Sequence, residues 1–321
     1  MAVTAILFPS RVAFALIAIL YMLSSSACVS HGLASSPCAV AAAPEVWVDP
    51  RIRNSVDRYL KSLSSESTRR FLVHGWRWHS LSFVRDADRL GALAIQQLRE
   101  LDGRSAADAS TGSSSIDDDA LDRATAHVID FSLAGLDRIE NELFFPWLRE
   151  KLCGAGSSVP SDMVGDFDKL ITGIAEERDG LSKLARTART HARAASSPSA
   201  KTRSRRDAMR KVAEIAATLS RRMRKVIDVE NALLVPAVAM AVPEREQRSF
   251  NSKVIRKLGV LDSRLHLVGM RDAVWECADA RERELFEEEI PYLARTMINR
   301  WRRTLYNDKA GVLELSVVDD S

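Results

Sequence analysis

The sequence predicts an all-α protein, an antiparallel up-down four-helix bundle followed by extra C-terminal helices. One observation is the scarcity of helix-breaking residues, because Gly contributes 14 and Pro 10 of the 321 residues, about 7% where roughly 12% is usual. In addition, apolar residues recur every three or four positions through long segments, as they do on a helix. Breaks rich in Gly, Ser, Pro and Asp separate these segments, and none of the segments has the alternation typical of a strand.

The N-terminal residues 1–43 are predicted to be a signal or targeting segment with a linker. Arg11 precedes an apolar run over 12–23, and the small residues 24–27 follow that run. About twelve apolar residues are short for a membrane span and typical of a cleaved signal peptide. We therefore expect targeting to the secretory pathway or an organelle, with no stable membrane span after signal removal. The alternative is an uncleaved membrane anchor, in which residues 35–43 would serve as a tether.

Residues 44–242 are predicted to form the bundle. A short helical stretch over 51–63 precedes four long helices at 68–101, 117–152, 162–194 and 205–241. Residues 243–306 are predicted to be a helical extension, with helices at 244–278 and 281–306, and residues 307–321 to be a tail. Pro291 is expected to kink or divide the last helix, because proline lacks a backbone N–H.

Each long helix carries one ionisable residue on the stripe that faces the bundle core. These residues are His79, Glu140, Arg178 and Glu230, in chain order. In antiparallel helices that rise 1.5 Å per residue, all four fall roughly 17 to 24 Å from one end of the bundle. Buried charges are costly unless they are paired or bound to a metal, so a shared layer is expected. The alternative, for each residue taken singly, is a boundary position between core and solvent. The other stripe positions are apolar: Leu72, Trp76, Phe83, Ala87 and Leu90; Ala126, Ile129, Leu133, Leu136, Leu143 and Trp147; Phe167, Ile171, Ile174, Leu181, Ala185 and Ala188; Val212, Ile215, Leu219, Met223, Val226 and Leu233.

An internal repeat marks the ends of the second and fourth long helices. The segment 140–146, with sequence ENELFFP, returns ninety residues later at 230–236 as ENALLVP. On these endings and on the helix order, residues 68–241 resemble the hemerythrin-like family. The resemblance implies an antiparallel four-helix bundle around a di-iron centre, with His-x-x-x-Glu on the second and fourth helices.

The same resemblance implies a degenerate metal site in this chain. Glu140 and Glu230 match the family's bridging carboxylates, and His79 matches a histidine of the first helix. Leu136 and Val226 stand where the family has histidines four residues before each carboxylate, and Arg178 stands where the third helix has another. Two irons need about five to seven imidazole and carboxylate donors, so we expect no metal cofactor. The alternative is an altered iron site, with one or two irons on His79, Glu140 and Glu230.

We expect Arg178 to take the place of the metal. A guanidinium is permanently charged and offers a planar fork of donors, so it can pair with both Glu140 and Glu230. This predicts a non-enzymatic binding or scaffold protein, whose partner is a protein or a small ligand that the sequence does not identify. The alternative function is an iron protein that binds or senses oxygen through the altered ligand set.

The net charge and the absence of known catalytic and binding motifs argue against several classes of function. With 46 Lys and Arg against 43 Asp and Glu, the net charge is +3, which is too small to predict a nucleic-acid partner. The chain lacks a phosphate-binding loop, a dinucleotide fingerprint, His-Glu-x-x-His, a nucleophile elbow and a Cys-rich zinc pattern. These absences agree with a non-enzymatic role.

Several other residues are assigned structural roles. The side chains expected at the surface or its boundary are His74 and Glu142, and the run 201–206 is expected to be an exposed loop. The arginines around Trp301 predict a solvated helix face, with an anion or membrane-surface contact as the alternative. Cys153 and Cys277 are either paired or reduced. Three further histidines are expected to be structural: His127, His191 and His266. The arginines near Trp301 are Arg295, Arg300, Arg302 and Arg303. Two more cysteines, Cys28 and Cys38, lie in or beside the signal.

Overall fold

The structure is a computed structural model that describes residues 48–63, 70–107, 119–197 and 199–315. Within these ranges the chain forms nine helices and no strand, so the prediction of an all-α protein is confirmed. The predicted signal segment, with Cys28 and Cys38, lies outside the described residues.

The structure contains nine described helices in chain order. They are α1 (Pro50–Leu63), α2 (His74–Ala107), α3 (120–153), α4 (Ser161–Ala195), α5 (Thr202–Ala241), α6 (Glu244–Leu258), α7 (Val260–Cys277), α8 (Ala280–Glu289) and α9 (292–315). Helices α2 to α5 lie close to the four long helices expected from the sequence. The run 201–206 was expected to be a loop, but residues from Thr202 onward begin α5.

The extension differs from its prediction in two places. A single helix over 244–278 was predicted, but Gly259 adopts a φ of 81° and separates α6 from α7, because this left-handed conformation ends a helix. The last helix was predicted to end at Tyr306, but it continues to Leu315, and Leu313 is buried. The expected break at Pro291 is confirmed, since α8 ends at Glu289 and α9 begins at Tyr292.

Helices α3 and α5 each contain a π-helical turn at the repeated sequence. The turns are Glu140–Phe144 and Glu230–Leu234, and each begins at the repeat glutamate. Pro146 and Pro236 lie two residues beyond the ends of these turns, and a proline inside a helix cannot donate the usual hydrogen bond to the preceding turn. The wider π turn accommodates that loss. The sequence repeat therefore corresponds to a repeated backbone feature. Two more π-helical stretches are Ala126–Leu133 in α3 and Arg302–Tyr306 in α9.

The main hydrophobic core lies between helices α2 to α5. Helix α2 packs against α3 and α5, and α4 packs against the same two helices. Nearly every predicted stripe position is buried; the exceptions are Ala126 and Leu143, which are half-buried. Helix α1 covers α4, and together these contacts place the four ionisable stripe residues inside the core.

A second, smaller core joins α2 to the extension. Trp78 of α2 packs on Phe286 of α8, with ring centroids 4.9 Å apart. His74 was expected near the surface, but it is only 7% exposed and stacks on Trp78 at 5.5 Å. That expectation was wrong because the polar flank of α2, which also carries Arg85, faces the extension rather than solvent.

Among the described helices, none is by itself long and apolar enough to cross a membrane. The α5 and α6 pair passes the same test of length and composition only when joined, across a bend of 117°.

Candidate functional site

The four ionisable stripe residues are all inside the protein. His79 lies on α2, Glu140 on α3, Arg178 on α4 and Glu230 on α5, and each is at most 3% exposed. Each sits on the face of its helix that the apolar periodicity turns toward the core.

Arg178 forms a buried ion pair with Glu140. Its Nε donates to Glu140 Oε2 at 2.5 Å, while the other carboxylate oxygen, Oε1, accepts from Trp76 Nε1 at 3.1 Å. Nη1 of Arg178 contacts the sulfur of Met223, and Nη2 has no hydrogen-bond partner among the described residues. Burial raises the pKa of Glu140, and Arg178 opposes that rise. Both oxygens of Glu140 are therefore engaged by protein donors.

Glu230 is buried without comparable partners. Its Oε1 has no hydrogen-bond partner within the described part of the chain. Burial raises the pKa of Glu230 well above its usual range, and the nearby charge of Glu140 adds to that rise, while Arg178 and Arg77 oppose it. Burial and the charge of Glu140 both favour the neutral acid form of Glu230. Arg178 acts on this carboxyl group through its charge, whereas the direct hydrogen bond goes to Glu140.

His79 is a neutral member of the layer. Burial lowers its pKa to about 3, with the positive charge of Arg178 as the next cause. The ring makes a hydrogen bond with the backbone of Ser132 in the π-helical stretch of α3. Its Nε2 has no partner among the residues described.

His266 of α7 lies beside this layer and was not predicted to join it. Its ring centroid is 4.2 Å from that of His79 and 4.3 Å from that of Phe131. A Cβ atom added at Gly135 would lie 2.6 Å from Nε2 of His266, so the absence of a side chain at Gly135 makes room for the imidazole. Burial lowers the pKa of His266, and His79 lowers it further. A glycine in the interior of a helix was the available sequence signal.

A second buried charge cluster holds the extension on α2. Arg85 binds Asp86 at 2.9 Å, Glu276 of α7 at 2.8 Å and Glu314 of α9 at 2.7 Å. Burial disfavours the charge of Arg85, but these carboxylates outweigh that effect and raise its pKa. His127 of α3 approaches Asp86 at 3.6 Å. Sequence reasoning missed this cluster, because its members are far apart in the chain.

A di-iron centre of the hemerythrin-like kind does not fit the layer formed by His79, Glu140, Arg178 and Glu230. Leu136 and Val226, at the two positions where histidines are implied, are apolar and fully buried. Arg178 places a permanent positive charge against Glu140. Among the residues described, no group of three or more His, Cys, Asp or Glu side chains is arranged to hold a metal ion.

The other predicted side chains have varied surroundings. His127 and His266 are buried, and His191 is half-buried. Glu142 is exposed and pairs with Lys257, as expected for a solvated carboxylate. Cys153 and Cys277 are free thiols, which excludes the disulfide alternative for this structure.

A comparison with protein-family models, with curated proteins and with solved structures found no match to this chain.

Proposed function

We propose that this chain is a hemerythrin-like four-helix-bundle protein with a degenerate metal site and a non-enzymatic binding or scaffold role. In this proposal α2 to α5 are the antiparallel up-down bundle, and α6 to α9 are an extension docked on α2. The packing of α2 and α4 against both α3 and α5 supports that arrangement. The matching π turns at Glu140 and Glu230 support the assignment of α3 and α5 as the paired second and fourth helices.

The proposal rests mainly on the contact between Arg178 and Glu140. A buried carboxylate needs a compensating positive charge, and the guanidinium provides one at 2.5 Å. Burial also favours the neutral forms of Glu230 and His79, so the layer needs no cation beyond the guanidinium of Arg178. A metal cation would have to bind next to Arg178 and would be repelled by it.

Burial of the layer supports a non-enzymatic role. A reacting group must meet its substrate, whereas His79, Glu140, Arg178 and Glu230 are at most 3% exposed. The guanidinium of Arg178 contacts the buried side chains of Glu140 and Met223. In this proposal the layer specifies how the helices pack, and a partner protein or ligand binds elsewhere on the surface.

Metal analysis of the purified full chain tests this proposal. The protein is expressed in iron-supplemented medium, and iron per chain is measured by mass spectrometry together with the near-ultraviolet absorption of an oxo bridge. We expect substoichiometric iron and no such band. The matched positive control is the triple variant Leu136→His, Arg178→His, Val226→His, which restores the family pattern and should gain iron affinity. Stoichiometric iron in the unmodified protein would favour the oxygen-binding or oxygen-sensing alternative instead.

A further inference from the structure

A surface cleft between α7, α8 and α9 brings together polar and aromatic side chains that the proposed function does not use. Its volume is about 260 Å³, and Arg271, Glu287, Tyr292 and Arg295 line it with Thr296 and Asn299. The cleft lies on the extension, away from the buried layer around Arg178. It is smaller than most pockets for drug-sized ligands, which run from roughly 300 to 1,000 Å³.

Two arginines from different helices line this cleft, and each stacks on an aromatic ring. Arg271 of α7 lies over Trp275 at 4.6 Å, and Arg295 of α9 lies over Tyr292 at 5.8 Å. Stacking on an aromatic ring restricts a long side chain and leaves the edge of the guanidinium free to donate. The two arginines are therefore positioned before any ligand arrives.

The charge of Arg271 is incompletely matched. Its ion pair with Asp272 is long, 3.8 Å, and that carboxylate also contacts Arg302 and lies 3.9 Å from Arg85. Arg295 pairs with Glu287, yet its Nε is buried and has no partner among the described residues. Among the residues that line the cleft, two arginines accompany one carboxylate, Glu287, so the lining carries one net positive charge.

Sequence reasoning assigned the arginines near Trp301 to a solvated helix face, but the structure separates them. Arg302 is engaged by the buried Asp272, whereas Arg300 and Arg303 are exposed. Arg295 alone of this group lines the cleft. The anion-binding alternative therefore applies to Arg295 together with Arg271. The sequence could not show that these two arginines line one cleft, because they lie on different helices.

We propose that this cleft binds a small monocarboxylate that carries an aromatic ring. One unmatched positive charge suits a single negative charge, and the planar guanidinium fork matches a carboxylate. A phosphate dianion would bring excess negative charge close to Glu287. Tyr292 is 75% exposed and offers its ring for stacking, while Thr296 and Asn299 supply hydrogen-bonding groups beside it.

Benzoate is the probe for this site, and the full chain is titrated with it by two-dimensional nitrogen–proton NMR. We expect benzoate to shift the side-chain amide of Asn299 and the Nε–H of Arg295, with saturation in the millimolar range. Benzamide has the same shape without the charge and should bind at least about tenfold more weakly, because it lacks the charge-assisted hydrogen bonds. Inorganic phosphate should also bind more weakly than benzoate.

Three variants locate the site. Arg271→Gln should weaken benzoate binding about tenfold, and Tyr292→Ala should weaken it severalfold, since both side chains reach solvent and their loss leaves the core intact. Arg300→Gln, an exposed arginine of α9 that does not line the cleft, is the control and should change the affinity by less than twofold. Equal binding of benzamide, tighter binding of phosphate, no shift at Asn299 up to 50 mM benzoate, or unchanged affinity in Arg271→Gln would each overturn the proposal.

Discussion

Removing the guanidinium of Arg178 is expected to destabilise the fold strongly and in a pH-dependent way. In Arg178→Leu the carboxyl group of Glu140 keeps its hydrogen bond from Trp76 but loses its only positively charged hydrogen-bond partner in the layer. Breaking a buried ion pair from one side typically costs about 3–5 kcal/mol.

The protonation of Glu140 gives a destabilisation of similar size. Without Arg178, burial favours the neutral acid, whereas the unfolded chain ionises this group with a pKa of about 4.3. Holding the proton at pH 7 costs about 1.4 kcal/mol per pH unit above that value, or roughly 4 kcal/mol, and at pH 5 only about 1 kcal/mol. The folded pKa is raised, so stability is lost as the pH rises from the unfolded pKa toward the folded pKa. The variant should therefore lose most stability, relative to the unmodified protein, near neutrality.

Urea unfolding followed by far-ultraviolet circular dichroism at pH 5 and pH 7 measures this effect. Arg186→Leu removes an exposed arginine from the same helix and should change the free energy of unfolding by less than about 0.5 kcal/mol. The triple variant Glu140→Leu, Arg178→Met, Glu230→Leu leaves no unpaired charge and should lose less than Arg178→Leu at pH 7, about 1–3 kcal/mol, because only the Trp76 Nε1–H is left without its acceptor. A loss below about 0.5 kcal/mol in Arg178→Leu at pH 7, or an equal loss at both pH values, would show that Arg178 does not stabilise a buried carboxylate at Glu140.

Two further predictions test other parts of the molecule. Gly135→Ala should lower the free energy of unfolding by about 1–3 kcal/mol, because the new Cβ would lie 2.6 Å from the ring of His266. The control Gly165→Ala has open space around it and should be neutral or stabilising by up to about 1 kcal/mol. Equal effects of the two changes would show that His266 does not pack closely against Gly135. N-terminal sequencing of the natural protein should find a start within or after residues 24–27, and an intact Met1 or Ala2 in a membrane fraction would favour the anchor instead.

The periodicity of single helices accounts for what the sequence predicts well. The stripes of α2 to α5 and the inward positions of His79, Glu140, Arg178 and Glu230 follow from the spacing of apolar residues, because a helix turns the same face inward every three or four residues. The difference in hydrogen-bond partners between Glu140 and Glu230 does not follow from spacing. It depends on Trp76 and Arg178 both reaching Glu140, which is a matter of side-chain geometry.

The features that escaped prediction depend on contacts between distant segments. The polar flank of α2 resembles a solvated face until α7 and α9 bring Glu276 and Glu314 to Arg85. Gly135 and His266 are likewise matched across two helices. Gly259 escaped for a local reason, since a single glycine is tolerated within a helix and its sequence does not reveal a positive φ.

The π turn at Glu140 changes which residues of α3 can face the core. Because a π turn contains one more residue than an α turn, every side chain beyond it is rotated by about 100° relative to an uninterrupted helix. Leu143, which continues the spacing of Leu136 and Glu140, is accordingly half-buried, while Phe144 and Leu148 are fully buried. The set of α3 residues that faces the core therefore shifts by one position at Glu140. Deleting one residue here, such as Asn141, would remove the extra residue of the π turn and leave the aromatic end of α3 facing the core in its present register.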